Sequence, residues 1–166
     1  ARTPYLTPAG PEAFDVAVPP QPFAPGDLVL LTATVDDGRY GTRGGIEPSQ
    51  TIASAEVYVD LAPWEAGAIP QAMVASDGTF DATSEGVEAA IDTTGFVPGR
   101  HVLYVRGADA DGNVGAVSAV FLDLIDPASA PVIQGTVRAL GSGTPLAATV
   151  GIGAYETATD PGTGFY

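Results

Sequence analysis

Strict alternation of apolar and polar residues is what most constrains this chain. In "DLVLLTATVD", residues 27–36, Val29, Leu31, Ala33 and Val35 share one face while Thr32 and Thr34 take the other. A period of two belongs to a strand with one buried face; a helix would repeat its apolar residues every three to four positions. "TIASAEVYVDL" alternates again, with Ala53, Ala55, Val57, Val59 and Leu61 predicted inward and Ser54, Glu56, Tyr58 and Asp60 outward. "RHVLYVRGAD" places His101, Leu103 and Val105 together. Shorter candidates are "FDVAV", "QAMVAS", "VEAAIDTT", where the paired threonines favour strand over a helical turn, and "NVGAVSAVFLDL". Turn chemistry separates them: Pro25-Gly26, the loop "DDGRYGTRGGIEPSQ", the acidic "SDGTFDATSEG", Pro98-Gly99 and "DADGN". Seven short strands within about 115 residues predict an all-β chain whose main body is an immunoglobulin- or fibronectin-like β-sandwich.

Residues 1–13 carry three prolines and no alternation, and read as an extended arm or a junction from an upstream domain. The sandwich is expected over 14–127, and "IDPASAP" (125–131) reads as a linker. Over 128–166 the sequence predicts strands at Val132–Leu140 and Ala148–Glu156, a Gly-Ser-Gly-Thr-Pro turn between them, and a third strand opening at Phe165-Tyr166. Two strands and a stub do not bury a core alone, so this unit is expected to be truncated or docked on the first. Open strand edges there make a dimer an expected form of association.

Charge narrows the partners. The 166 residues contain no lysine, six arginines and twenty acids, a net charge of -14. Phosphate binding needs clustered cations, so nucleic acid is excluded as a partner, and anionic membrane surfaces with it. The most apolar stretch, Ala116–Ile125, is far short of the ~20 residues that span a bilayer. The opening "ARTPYLTPAGPEAF" lacks the basic-then-apolar pattern of a signal peptide, as expected of a mature secreted chain or an excised fragment. Without cysteine there are no disulfides, thiolate metal sites or cysteine nucleophiles.

Sites are few. "DADGN" sets Asp109, Asp111 and Asn113 at positions 1, 3 and 5 of a calcium loop, but positions 6 and 12 fall on Val114 and Val120, where glycine and a bidentate glutamate are required. The EF-hand reading fails, which leaves a hairpin turn with Gly112-Asn113 at positive φ, or a calcium site of another kind. The acidic loop of Asp77, Asp81, Glu85 and Glu88 offers a second calcium candidate, with Asp77 and Asp81 the better ligands, against a plain solvated loop. His101, two residues after Gly99, sits where sandwiches of this class place a tyrosine that bonds the backbone across a corner; a metal or pH-sensing role is the other reading. Trp64, Tyr40 and Phe80 lie in or near loops, where rings cap a core or contact sugars and peptides. No Ser-His-Asp arrangement is evident, and no catalytic or cofactor-binding residue is assigned.

"GRHVLYVRGADADGNVGAVSAVFL" resembles the closing hairpin of immunoglobulin-like modules that follow the catalytic domain of bacterial secreted zinc carboxypeptidases, and "ARTPYLTPAGPEAF" looks like the junction out of such a domain. "VIQGTVRALGSGTPLAATVGI" is similar to the opening of the carboxypeptidase regulatory-like domain, a transthyretin-type sandwich. Ile133, Gly135, Val137, Pro145, Leu146 and Val150 fit its pattern, as do Thr159, Asp160, Gly164 and Tyr166, with one extra residue between Asp160 and Gly164. The resemblance implies a partial regulatory-like module over 128–166, an extracellular or cell-surface location and an upstream catalytic domain as partner in cis. The zinc would sit in that domain: the family's His-x-x-Glu and distant histidine have no counterpart here, and one histidine cannot supply three protein ligands. The expectation is a non-catalytic accessory region of a metallocarboxypeptidase, serving folding, solubility or substrate positioning. The alternatives are an independent carbohydrate- or protein-binding module, or a calcium-stabilised adhesion-type domain; an autonomous enzyme is the weakest reading.

Overall fold

A computed structural model describes residues 10–38, 49–126, 128, 133–152 and 155–166. The chain divides into two compact units, Ala1–Ile125 and Asp126–Tyr166. The first holds seven strands: β1 (Glu12–Ala17), β2 (Leu28–Asp36), β3 (Ile52–Val59), β4 (Gln71–Ala75), β5 (Ser84–Asp92), β6 (Gly99–Asp109) and β7 (Ser118–Leu124). The second holds β8 (Thr149–Ile152) and β9 (Tyr155–Ala158). No helix occurs among the described residues.

The order β1-β2-β5-β4-β3-β6-β7 is that of an immunoglobulin sandwich, one sheet built from strands 1, 2, 5 and 4 and the other from 3, 6 and 7. β4 is shared between them. Its first half pairs with β3 (Val57↔Gln71 to Ala55↔Met73), and its second half pairs with β5 (Val74↔Glu88, Ala75↔Val87). The alternating residues do what their period demands: Val29, Leu31 and Val35 of β2 face Val57, Leu103, Val105 and Leu122 across the sandwich, all essentially without solvent exposure. Burial of these side chains is the main driving force, about 1.5–3 kcal/mol for each large one.

Two inward assignments in β3 are corrected. Ala53 is exposed and Ile52 is buried, because the pairing of β3 with β6 slips between Ile52 and Ser54 and the bulge turns Ala53 out. Leu61 lies beyond the end of β3 and is 39 % exposed. The last strand also starts later than its sequence suggests. Residues 113–117 make only the Ala108↔Val114 bridge and one bond from the Gly115 N–H to Gly107, and regular pairing begins at Val105↔Ser118.

Close packing explains that irregular stretch. A Cβ on Gly107 would sit 2.3 Å from Val35 Cγ1 in the opposite sheet, and one on Gly115 would sit 1.5 Å from the Pro11 carbonyl oxygen. The chain thus enters the sandwich through a slot that only glycine leaves open.

In the second unit the span 148–156 is not one strand. It folds back as the β8–β9 hairpin, paired from Thr149↔Ala158 to Ile152↔Tyr155. Of the Val132–Leu140 prediction, Val132 lies outside the described residues, and the remainder forms single bridges, Thr136↔Phe165 and Arg138↔Pro145. Phe165-Tyr166 does close against this segment, with Gly135 and Tyr166 exchanging both backbone bonds at 3.1 and 3.0 Å.

Candidate functional site

The connections of the sandwich gather at two ends. At one lie the β2–β3, β4–β5 and β6–β7 loops, tied by backbone bonds from Asp37 to Thr83, Ile52 to Ala82 and Ala110 to Thr51 (2.8–2.9 Å). Both calcium candidates are here, and the carboxylates of Asp109, Asp77 and Asp81 accept bonds within their own loops. Asp109, 2 % exposed, accepts the Asn113 N–H on one oxygen and the Asn113 side-chain amide on the other, each at 2.8 Å. Asp77 accepts the Thr79 N–H at 3.2 Å, and Asp81 accepts the Thr79 hydroxyl at 3.4 Å. Glu85, 4 % exposed, accepts the Asp81 and Ala82 N–H groups at 2.8 and 2.7 Å and so holds the loop from beneath. Asp111 is exposed at the tip of its turn. Gly112 takes a positive φ of 83°, but Asn113 does not: its side chain bonds back to Asp109 instead. Among the described residues no three metal-ligating side chains converge.

The opposite end carries the β1–β2, β3–β4 and β5–β6 connections, and here the only histidine of the chain is fixed. The inward position of His101 on β6 leaves it 7 % exposed. Its Nε2 lies 2.8 Å from the carbonyl oxygen of Val97, four residues upstream, which is the backbone contact that its place at the corner suggested. Its Nδ1 lies 2.7 Å from Asp60 Oδ2, and the other oxygen of Asp60 accepts the Val102 N–H at 3.0 Å. Asp60 reaches both because it follows the last residue of β3 in the left-handed region, at φ 60°, which short polar side chains tolerate. The Phe96 ring packs on the imidazole at 5.0 Å.

Both ring nitrogens therefore face oxygen acceptors, and only an imidazolium satisfies both. Burial works against that charge, but the Val97 carbonyl and the Asp60 carboxylate outweigh it, so the His101 pKa is raised above its ordinary value of 6.5. Thr93, fully buried, completes the corner: its hydroxyl donates to the Asp27 carbonyl at 2.8 Å and accepts the Gly26 N–H at 3.0 Å, joining the β1–β2 turn to the β5–β6 loop.

Beside this corner a groove of about 490 Å³ opens. Val57, Val59 and Ile91 floor it, Leu61, Ile69, Pro70 and Phe96 wall it, and Asp60, Gln71 and Asp92 supply its polar atoms. Nothing in the residue pattern marks this groove, because it forms where β4 leaves one sheet for the other.

A third polar group covers the outer face of the β3-β6-β7 sheet. Arg106 pairs with Glu56 at 3.2 Å, donates to the Tyr58 hydroxyl at 2.7 Å and lies 5.1 Å from the Tyr58 ring centre. Burial first, then the neighbouring Glu56, raises the Tyr58 pKa. Arg100 pairs with Asp123 at 2.8 Å and stacks on Phe121 at 4.6 Å. Of the loop aromatics, Phe80 packs against the core and Trp64 is 74 % exposed; Tyr40 lies outside the described residues.

No family model and no curated protein matches the sequence. Among solved structures, the chain is similar to wild-type OgpA from Akkermansia muciniphila in two crystal forms, each with 16% sequence identity, a TM-score of 0.46 and coverage of 72% of this chain. The match covers 28% and 30% of the OgpA chains, so this chain spans less than a third of that protein's length.

Proposed function

We propose that this chain is a non-catalytic accessory region of a secreted zinc metallocarboxypeptidase, a β-sandwich that supports the folding, solubility or substrate positioning of a zinc-bearing domain joined to it in cis. The observation that carries the reading is the commitment of its single histidine: both ring nitrogens of His101 are engaged in a buried corner, by Asp60 and by the Val97 carbonyl. The residues of this chain do not fit a catalytic zinc, which takes three protein ligands, so the metal belongs to the adjoining domain. The net charge of -14 favours solubility outside the cell. The carboxypeptidase assignment rests on the resemblance of residues 99–122 and 132–152 to that family's accessory modules.

Reading the gene on both sides of these codons tests it. The expected result is an upstream frame carrying a His-x-x-Glu and a distant histidine. A start codon or signal peptide directly before Ala1 would refute it.

One observation favours the alternative of an independent carbohydrate- or protein-binding module: Trp64 stands 74 % exposed on the β3–β4 loop, the position of a ring that contacts a ligand. A glycan or peptide array that gives a signal with the wild-type chain and none with Trp64→Ala would establish that reading.

A further inference from the structure

We propose that His101 is a proton-operated latch on the β5–β6 connection: its imidazolium holds residues 94–98 against the sandwich, and loss of its proton releases them. The device is independent of whatever domain adjoins the sandwich.

The connection is fastened at one point. Thr93 anchors its start, fully buried and bonded to the β1–β2 turn. Beyond Thr93 the bonds are local: the Thr94 N–H and side chain bond Asp92, and the Phe96 N–H donates to the Thr93 carbonyl at 3.0 Å. Pro98 has no N–H to offer. Among the described residues, the Val97 carbonyl, 2.8 Å from His101 Nε2, is the only group of residues 94–98 that a hydrogen bond ties to β6. Gly95 and Gly99, at φ 84° and 141°, give the segment two points where the backbone turns freely. A Cβ at either would meet nothing within 4 Å, so there is room for movement.

The chemistry of the ring decides which contact fails. A neutral imidazole keeps one N–H and has one bare nitrogen. Asp60 stays in place, because its N–H donates to the Val102 carbonyl at 2.8 Å and its Oδ1 accepts the Val102 N–H at 3.0 Å. Its carboxylate has no proton to offer, and it retains the remaining ring N–H at Nδ1. Nε2 is then bare and faces the Val97 carbonyl, acceptor against acceptor at 2.8 Å, and the contact turns repulsive. Val97, 69 % exposed, is the side that moves. Phe96 moves with it, and since its ring packs on the imidazole and walls the groove floored by Val59 and Ile91, release widens that groove.

The other charged side chains on the surrounding elements are engaged elsewhere. Asp92 at the end of β5 bonds Thr94, and Asp27 in the β1–β2 turn accepts the Ala24 N–H at 2.7 Å. Glu65 in the β3–β4 connection accepts the Ala62 N–H at 2.6 Å, and Arg100 beside the ring on β6 pairs with Asp123 of β7. Asp60 alone among them bonds the ring. With the His101 pKa raised above 6.5, the latch is closed in mildly acid solution and opens as pH rises through the folded value.

The test follows the whole chain by NMR from about pH 6 to about pH 9, reading the His101 ring nitrogens and the solvent exchange of each amide, corrected for its intrinsic rate. The Phe96 N–H is expected to lose about tenfold in protection. Its midpoint is expected to match that of His101, while the amides of β2, β5 and β6 keep their protection. Asp60→Asn separates a latch from a merely structural histidine. Asparagine accepts the Val102 N–H and donates to a bare Nδ1, which leaves the Nε2–H on Val97, so the segment is expected to stay closed over the whole range. Should that variant not fold, the wild-type titration decides alone. Unchanged Phe96 protection across the His101 titration overturns the proposal. So do a different midpoint, a loss of protection shared by the whole sandwich, and an Asp60→Asn chain whose segment still opens.

Discussion

At the scale of single residues, the acids of this chain act mainly as acceptors for backbone. Asp27, Asp36, Glu65 and Asp92 each bond an N–H within a few residues of themselves, and Glu85 and Asp160 each bond two. The Thr94 and Thr163 bonds lower the pKa values of Asp92 and Asp160, and the Arg100 pair lowers that of Asp123. Depressed carboxylates contribute stability that is present above their unfolded pKa of about 4 and lost as pH falls through the folded value. His101 has the opposite sign. Its raised pKa contributes stability that is complete below the unfolded value of 6.5 and lost as pH rises through the folded value. Melting temperature is therefore expected to decline from neutral into mildly alkaline pH, and Asp60→Asn is expected to flatten that decline. A pH profile from thermal denaturation checks both. At the other end of the sandwich, Asp109→Ala removes a buried carboxylate that accepts the half-buried Asn113 N–H and is expected to cost about 1–3 kcal/mol in urea denaturation. Because both Asp109 oxygens are engaged by Asn113, melting in excess calcium and in EDTA is expected to coincide.

At the scale of elements, periodicity was a good guide where side chains decide and a poor one where backbone does. β2, β5 and β6 were legible because Val29, Leu31, Val87, Leu103 and Val105 repeat at two and all point inward. The bulge that turns out Ala53 left no such mark, since alanine suits either face. The late start of β7 follows from Gly107 and Gly115, which admit the backbone at Pro11 and which a sequence shows only as two more glycines. Gly115→Ala forces the Pro11 carbonyl aside and is expected to destabilise the sandwich by more than about 2 kcal/mol, whereas Gly78→Ala, in an open turn, costs only the strain of its positive φ. The two midpoints in urea give the comparison directly. The corner of His101 was legible from its distance to Pro98-Gly99, but Asp60 as its partner was not, because forty-one residues separate them and only the β3–β6 pairing brings them together. The groove beside it was illegible for the same reason: it belongs to the switch of β4 between sheets.

At the scale of the whole molecule, the two units differ in kind. Every buried apolar side chain among the described residues, from Ala13 to Leu124, belongs to the first. In the second, Ile133, Leu140, Leu146, Ile152 and Phe165 are all exposed, by 41 to 105 %. A two-stranded hairpin with no buried apolar side chain among the described residues is marginal in water, so a peptide of residues 126–166 is expected to give a disordered circular-dichroism spectrum, while 1–125 melts cooperatively by itself. The first unit is a rigid sandwich whose polar side chains hold its loops in place, and its one histidine is the hinge of that account. A long-range proton–nitrogen correlation spectrum of His101, followed as a function of pH, tests it most directly. Two protonated ring nitrogens at neutral pH, titrating above 6.5, are the predicted result. A neutral ring with one bare nitrogen, titrating below that value, would contradict the structural role and return the histidine to the candidates for chemistry.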